Sequence, residues 1–234
     1  VRRLTRGPRE DVQLLAQHVD DVRLGAAVEY VSRTDHGVTV RTAEGSATFD
    51  HVVLATQANQ TATILGDAST EEQALLASFS YEPSRVVVHK DTALAPPGDD
   101  AHWAPVIFER ASDGTTQMAT IWMNAIQAMP DTSPVFQTWN PIIKPDPSLI
   151  IGEAAFERPI VNQASLQGLE RLAQLHQQRD RRVWFCGSYA AHGIPLLESA
   201  AHSAFSVAER LGCRRPWDST EQPGVEPILA TDPT

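Results

Sequence analysis

The sequence predicts a mixed α/β chain with an inserted, mainly antiparallel β region, and three observations predict it. Short β-branched runs separated by turn residues dominate 28–55 and 84–141. Helical spacing and a capping signal mark the stretches between and after them. Near the C-terminus an apolar strand, Val183-Trp184-Phe185-Cys186, runs through Gly187-Ser188-Tyr189 into Gly193-Ile194-Pro195-Leu196-Leu197-Glu198-Ser199-Ala200, a helix start rich in small residues. The chain has 234 residues, 42% of them apolar, enough for one large domain or two small ones with a real core.

From the N-terminus, Val12, Leu14, Leu15 and Val19 predict a short helix over 11–20, followed by a strand-like Val22-Arg23-Leu24. Alternation at Val28, Tyr30 and Ser32 and at Val38, Val40 and Thr42 predicts a β-meander. Asp35-His36-Gly37 and Ala43-Glu44-Gly45 supply its turns. His51-Val52-Val53-Leu54-Ala55 is continuously apolar after its histidine, the pattern of a strand covered on both faces. A helix is expected near 61–65. A second follows Ser69, whose capping box with Glu72 precedes Leu75, Leu76 and Phe79.

Strands are then expected at Arg85–His89, Pro105–Phe108, Met118–Met123 and Val135–Trp139. Turns at 96–100 and 112–114 favour antiparallel pairing. Pro141, Pro145 and Pro147 mark a loop. Leu166, Leu169, Leu172 and Leu175 put one stripe on a helix, and Gly212 ends the last helix. The run 216–234, with four prolines, reads as a disordered tail.

A net charge of −10, spread along the chain, argues against nucleic acid and anionic membranes as partners. Arg2, Arg3, Arg6 and Arg9 read as a solvated basic end. Cys186 and Cys213 cannot build a disulfide framework, and there is neither a secretory h-region nor a membrane-length apolar run, which points to the cytoplasm. The eight histidines show no metal-binding spacing, and no metal is expected. Cys186-Gly187-Ser188-Tyr189-Ala190 is not a nucleophile elbow, and Cys186 reads as a packed thiol.

A glycine at the end of a strand lets a ligand approach the backbone, and Pro195 suits the first turn of a helix whose N–H groups can face an anionic group. The same pattern also describes a plain α/β unit. No two of the thirteen glycines are two residues apart, so a G-x-G-x-x-G loop is absent. Trp122, Trp139 and Tyr189 fit either the wall of an apolar substrate cavity or core.

The order of Ala27-Val28-Glu29-Tyr30-Val31, Phe49 to Thr56, an antiparallel insert, Val183 to Tyr189 and Gly193 to Ala200 resembles the flavin-containing amine oxidase superfamily, closest to its predicted NAD/FAD-binding, amine oxidase-like branch. The resemblance runs from Val22 to Gly212 and covers the C-terminal half or so of a typical member. It implies the C-terminal part of a Rossmann-like FAD-binding domain, formed by 1–83 and 182–215, with a substrate domain inserted at 84–181. It further implies FAD contacts at Ala27, Val28, Ala55, Thr56, Gly187, Ser188, Tyr189, Gly193, Ile194, Pro195 and Leu196. His192, in the loop near the flavin, is the one candidate for catalysis. The implied reaction is flavin-dependent oxidation of a small molecule, an amine or an apolar C–C or C–N bond. The alternative is a noncatalytic remnant or a binding subunit that needs a partner chain to complete the FAD site.

Overall fold

The computed structural model describes residues 8–95, 103–112, 114, 117–127, 129 and 133–213. The expected tail at 216–234, the turn at 96–100, Asp113, and Arg2, Arg3 and Arg6 lie outside them. The chain divides into two compact units, 1–25 with 81–158 and 26–80 with 159–234. No described helix is long and apolar enough to cross a membrane.

The first unit begins with α1 (Pro8–Ala16). Its helix starts three residues earlier than the sequence predicts, and Val22-Arg23-Leu24 is irregular and exposed rather than a strand. Three residues without a paired partner strand have nothing to hold them extended. The body of this unit is a five-stranded sheet in the order β6-β7-β8-β5-β9. It comprises β5 (Tyr81–His89), β6 (Val106–Arg110), β7 (Gln117–Trp122), β8 (Phe136–Trp139) and β9 (Ile150–Pro159). The pairs β6–β7, β7–β8 and β5–β8 are antiparallel, as the turn residues predict.

Strand β9 is a feature that the sequence pattern does not reveal. It mixes Gly152, Glu153 and Glu157 with apolar residues, and as an edge strand it is exposed along nearly its whole length, so no alternation is imposed on it. β7 stops at Trp122, where a single helical turn, α4 (Met123–Ile126), replaces the expected strand end.

One face of this sheet forms a core around Val87, Met118 and Phe136, with a buried polar chain through it. The Asp91 N–H donates to His89 Nδ1 at 3.2 Å, so the ring proton sits on Nε2 and is donated to Thr138 Oγ1 at 2.8 Å. Thr138 in turn reaches Thr120 Oγ1 at 3.0 Å. His89, Thr138 and Thr120 are all fully buried and hydrogen-bonded, as buried polar groups must be.

The second unit holds the meander β1 (Val28–Thr34), β2 (Gly37–Thr42) and β3 (Gly45–Phe49), antiparallel throughout. It also holds a two-stranded parallel sheet of β4 (Val52–Leu54) and β10 (Val183–Phe185). Around these sheets lie α2 (Ala58–Ile64), α3 (Thr70–Ala77), α5 (Gln163–Leu175) and α6 (Leu197–Arg210). The predicted capping box forms at α3. Ser69 accepts from the Glu72 N–H at 3.2 Å, and Glu72 returns a bond to the Ser69 N–H at 3.0 Å.

Glu72 also accepts from Arg33 at 2.5 Å and from Arg181 at 2.9 Å, so one buried carboxylate ties together α3, β1 and the segment before β10. The sequence division at 84–181 includes α5, whereas by compactness α5 falls in this unit. Gly168 explains why α5 packs here: a Cβ at that position would overlap Ser78 and the Phe79 ring.

Candidate functional site

Parallel strands β4 and β10 end side by side, and the loops leaving their C-terminal ends carry most of the predicted cofactor residues. In open α/β sheets this is where ligands bind. The Val52 N–H donates to the Arg182 carbonyl and the Cys186 N–H to the Leu54 carbonyl. In a parallel ladder alternate residues bond to a given neighbour, so the Val53 N–H and C=O point to the other side. Among the described residues no strand pairs on that side, and Val53 is 42% exposed. Only Leu54 of β4 is buried, so the expectation of a strand covered on both faces is corrected.

The opposite edge is closed. The Phe185 N–H, on the outer side of β10, donates to His176 Nε2 at 3.3 Å. His176 caps the C-terminus of α5 and is itself buried. Burial, reinforced by the nearby Arg181 and Arg210 cations, pushes its pKa down to about 4, so the ring stays neutral and able to accept. No pattern in the sequence distinguishes this histidine from the other seven.

Gly187 follows β10 with φ +144°, and a Cβ there would press on the Tyr189 ring at 3.1 Å and approach the Thr56 carbonyl at 3.7 Å. Thr56 and Gly187 are thus neighbours. Thr56 Oγ1 bonds Thr61 Oγ1 at 2.8 Å, fixing the exit from β4 onto α2. Ser188–Ala190 form a 3-10 turn in which the Ala190 N–H donates to the Gly187 carbonyl. Tyr189 turns inward: it is 6% exposed and its ring meets Phe79 edge-on at 4.8 Å. Its side chain belongs to the core.

Helix α6 begins at Leu197, so Pro195 lies ahead of the helix rather than in its first turn. The Leu196 N–H closes a tight turn onto the Ile194 carbonyl at 2.8 Å, and this turn around Pro195 delays the helix. Leu196 is the N-cap and has no side-chain cap bond, in contrast to Ser69 at α3 and Asn162 at α5. The first N–H groups of a 14-residue helix are therefore not satisfied by a capping side chain.

Two serines hold these segments to α6. Ser199 Oγ donates to the Ile194 carbonyl at 2.7 Å. Ser203 Oγ accepts from the Gly187 N–H at 2.9 Å and lies 2.9 Å from its carbonyl. The sequence reading treats both only as small residues that allow close packing.

The remaining candidates are not gathered here. Ala27 and Val28 are exposed at the start of β1, where Val28 pairs with Thr42, and no described contact ties them to the β4–β10 loops. Ala55 is exposed beside Thr56, and His192 and Gly193 are exposed in the loop before α6. Trp122 and Trp139 belong to the other unit, and the register places Trp122 opposite Phe136 but Trp139 opposite Ala119. Side chains alternate along a strand, so the two indoles emerge on opposite faces and cannot line one wall of the sheet.

Trp122 packs with Trp103 at 5.4 Å, while Trp139 sits under Arg158, whose guanidinium carbon is 5.0 Å from the ring. An apolar hollow lined by Phe79, Leu166, Leu169, Tyr189 and Pro195 measures only about 20 Å³, room for a water and not for a substrate. Burial pushes the Cys186 thiol up, consistent with a packed, unreactive cysteine.

The α/β fold with its antiparallel insert is that of the flavin-dependent amine oxidases and related oxidoreductases. The model of the family described as flavin containing amine oxidoreductase matches residues 2–99, so the predicted resemblance to the superfamily stands, and the cofactor of this class is FAD. Among solved structures, a CLA-producing fatty acid isomerase from P. acnes superposes with a TM-score of 0.60 at 13% identity, over 87% of this chain and 52% of that one. A cyclohexylamine oxidase from Brevibacterium oxydans IH-35A gives 0.54 at 13% identity, over 81% and 49%. A putrescine oxidase variant redesigned in cofactor binding gives 0.59 at 13% identity, over 88% and 52%. The chain spans about half the length of these proteins. No curated protein matches it.

Proposed function

We propose that this chain forms the flavin-side part of an FAD-dependent oxidoreductase of the amine oxidase-like class, acting on an amine or on an apolar C–C or C–N bond of a small molecule. The observation that carries this is the convergence of Thr56, Gly187, Ser188 and the uncapped start of α6 at the C-terminal ends of β4 and β10. These residues suit the cofactor chemically. Gly187 offers backbone without a Cβ, and the helix start offers N–H groups to the electron-rich edge of a flavin. When bound, the flavin supplies the acceptance of a hydride equivalent from the substrate and passes it on to an electron acceptor. The chain's own residues would bind and orient it: the backbones of Gly187, Ser188 and Tyr189 would hold its pyrophosphate and ribityl chain, and Gly193 to Leu196 its ring.

In this reading 1–83 and 182–215 are the FAD-binding segments and 84–181 the substrate domain, with His192 beside the flavin. Since only one indole can face a given side of the sheet, Trp122 and Trp139 cannot both line the substrate wall.

A second reading rests on the open edge at Val53. A parallel pair of strands is not stable in isolation, and β10 is closed by His176, so a further strand can join only beside β4. A chain of this kind binds a partner polypeptide that supplies the strand, and completes its FAD site only then.

The visible absorption spectrum of the purified chain after mixing with FAD and removal of excess separates the two. About one flavin retained per chain supports the self-sufficient site. A colourless protein rejects that and leaves the partner reading, which in turn fails if supplying candidate strand-bearing segments never yields a yellow complex.

A further inference from the structure

We propose that Ser199 and Ser203 are positioning residues that lock the two flavin-facing segments onto one face of α6. The inference rests on the flavin reading above and extends it to residues that the resemblance does not assign. The two serines are four residues apart, so they lie one above the other on the helix, and both are buried. Each reaches a different segment: Ser199 the carbonyl of Ile194, in the loop that leads into α6, and Ser203 the peptide groups of Gly187, at the end of β10. Serines in a helix interior ordinarily turn back on the preceding turn of their own helix, as Ser206 does to His202. Ser199 instead bonds the loop ahead of the helix, and Ser203 adds contacts to Gly187 outside the helix to its back-bond on the Ala200 carbonyl.

The chemistry at Ser203 is specific. Its oxygen accepts the Gly187 N–H, while its single proton is shared between the carbonyls of Gly187 and Ala200, at 2.9 and 2.8 Å. Gly187 therefore cannot donate its own N–H to a cofactor. What it contributes is a fixed peptide orientation, held at φ +144° where no other residue is comfortable. The hydroxyl is the partner of the Gly187 N–H and shares its carbonyl with the Ala190 N–H, so removing it loosens the N–H side of the loop without removing any apolar packing. Ser199 does the equivalent for the turn around Pro195, which sets where the helix N–H groups begin. The two loops are thereby referenced to one rigid element, which is what a preorganised cofactor site requires.

The test compares Ser203→Ala, Ser199→Ala and the rescue variant Ser203→Thr with the unaltered chain, and uses Ser206→Ala as a control. The first readout is amide hydrogen exchange by NMR, with no flavin present. Ser203→Ala should speed exchange at Gly187 by about tenfold or more, the loss of one hydrogen bond, with β4 and α6 unchanged. The second readout is FAD affinity, from quenching of flavin fluorescence. Each alanine variant should bind FAD about tenfold more weakly, Ser203→Thr should recover most of the loss, and Ser206→Ala should bind normally. Unchanged exchange at Gly187, or unchanged FAD affinity in both alanine variants, overturns the clamp. Absence of FAD binding by the unaltered chain overturns the self-sufficient flavin reading and the clamp's cofactor role with it. The exchange data then still decide whether the serine holds the loop.

Discussion

The five-stranded sheet of one unit and the two-stranded sheet of the other satisfy their polar groups in different ways. The antiparallel sheet runs a closed chain of hydrogen bonds through its core, from the Asp91 N–H through His89 and Thr138 to Thr120. The parallel pair is closed on one side only, by the single bond from the Phe185 N–H to His176, and is open at Val53 on the other. Antiparallel strands satisfy one another through local turns, whereas a parallel sheet depends on segments distant in sequence. The region that carries the candidate cofactor loops is therefore the one whose sheet is least self-sufficient.

The sharpest way to break this contrast is at the charge cluster that supports the parallel pair. Glu72→Ala leaves Arg181, 9% exposed, without its carboxylate, and should cost about 3–5 kcal/mol in denaturant unfolding. A change within experimental error would show that β10 does not rely on this cluster.

Acidification should weaken both sheets, the parallel pair through His176 and the antiparallel sheet through His89. His176 has a folded pKa of about 4 against an unperturbed 6.5, so the unfolded chain binds more protons between these values. Its contribution to stability is complete above pH 6.5 and is lost as pH falls toward 4, by up to about 3 kcal/mol. Burial lowers the His89 pKa as well, so the antiparallel sheet weakens in the same direction. Replacing His176 with Gln should flatten the part of the pH profile that belongs to the parallel pair, and an unchanged profile would contradict its capping role.

Smaller effects are expected at single positions. Thr138→Val removes the partner of His89 and of Thr120 while keeping shape, at about 1–3 kcal/mol by thermal unfolding. Gly187→Ala strains the backbone and presses on Tyr189, at about 1–3 kcal/mol, and should weaken FAD binding at least as much as Ser203→Ala does. Retained stability with lost binding would sharpen the contrast, because it would mean that the loop serves the ligand more than the fold.

Local chemistry made much of this legible in the sequence. The Ser69–Glu72 box, the meander turns at Gly37 and Gly45, the stripe ending at Leu175 and the strand before Gly187 all depend on neighbours within a few residues. What escaped depends on distant partners. β9 is a strand because it lies beside β5, and nothing in its own alternation says so. The separation of Trp122 from Trp139 follows from a register that is visible only once β7 and β8 are paired.

In the candidate site, the strand–glycine–helix pattern pointed to Gly187 and the 193–196 loop, while Thr56 entered through the resemblance alone. The family match at 2–99 does not include the 183–200 stretch that carried most of that reading. Ser203 and His176 escaped because a serine in a helix and a histidine at a helix end carry no signal until the backbone they hold is in view.

The central claim is that FAD lies across the C-terminal ends of β4 and β10, and hydrogen exchange followed by mass spectrometry, with and without FAD, tests it most directly. The account predicts flavin-dependent protection in peptides covering 55–57 and 187–197, with 106–110 and 150–158 unchanged. FAD bound without protection at 187–197 would contradict it.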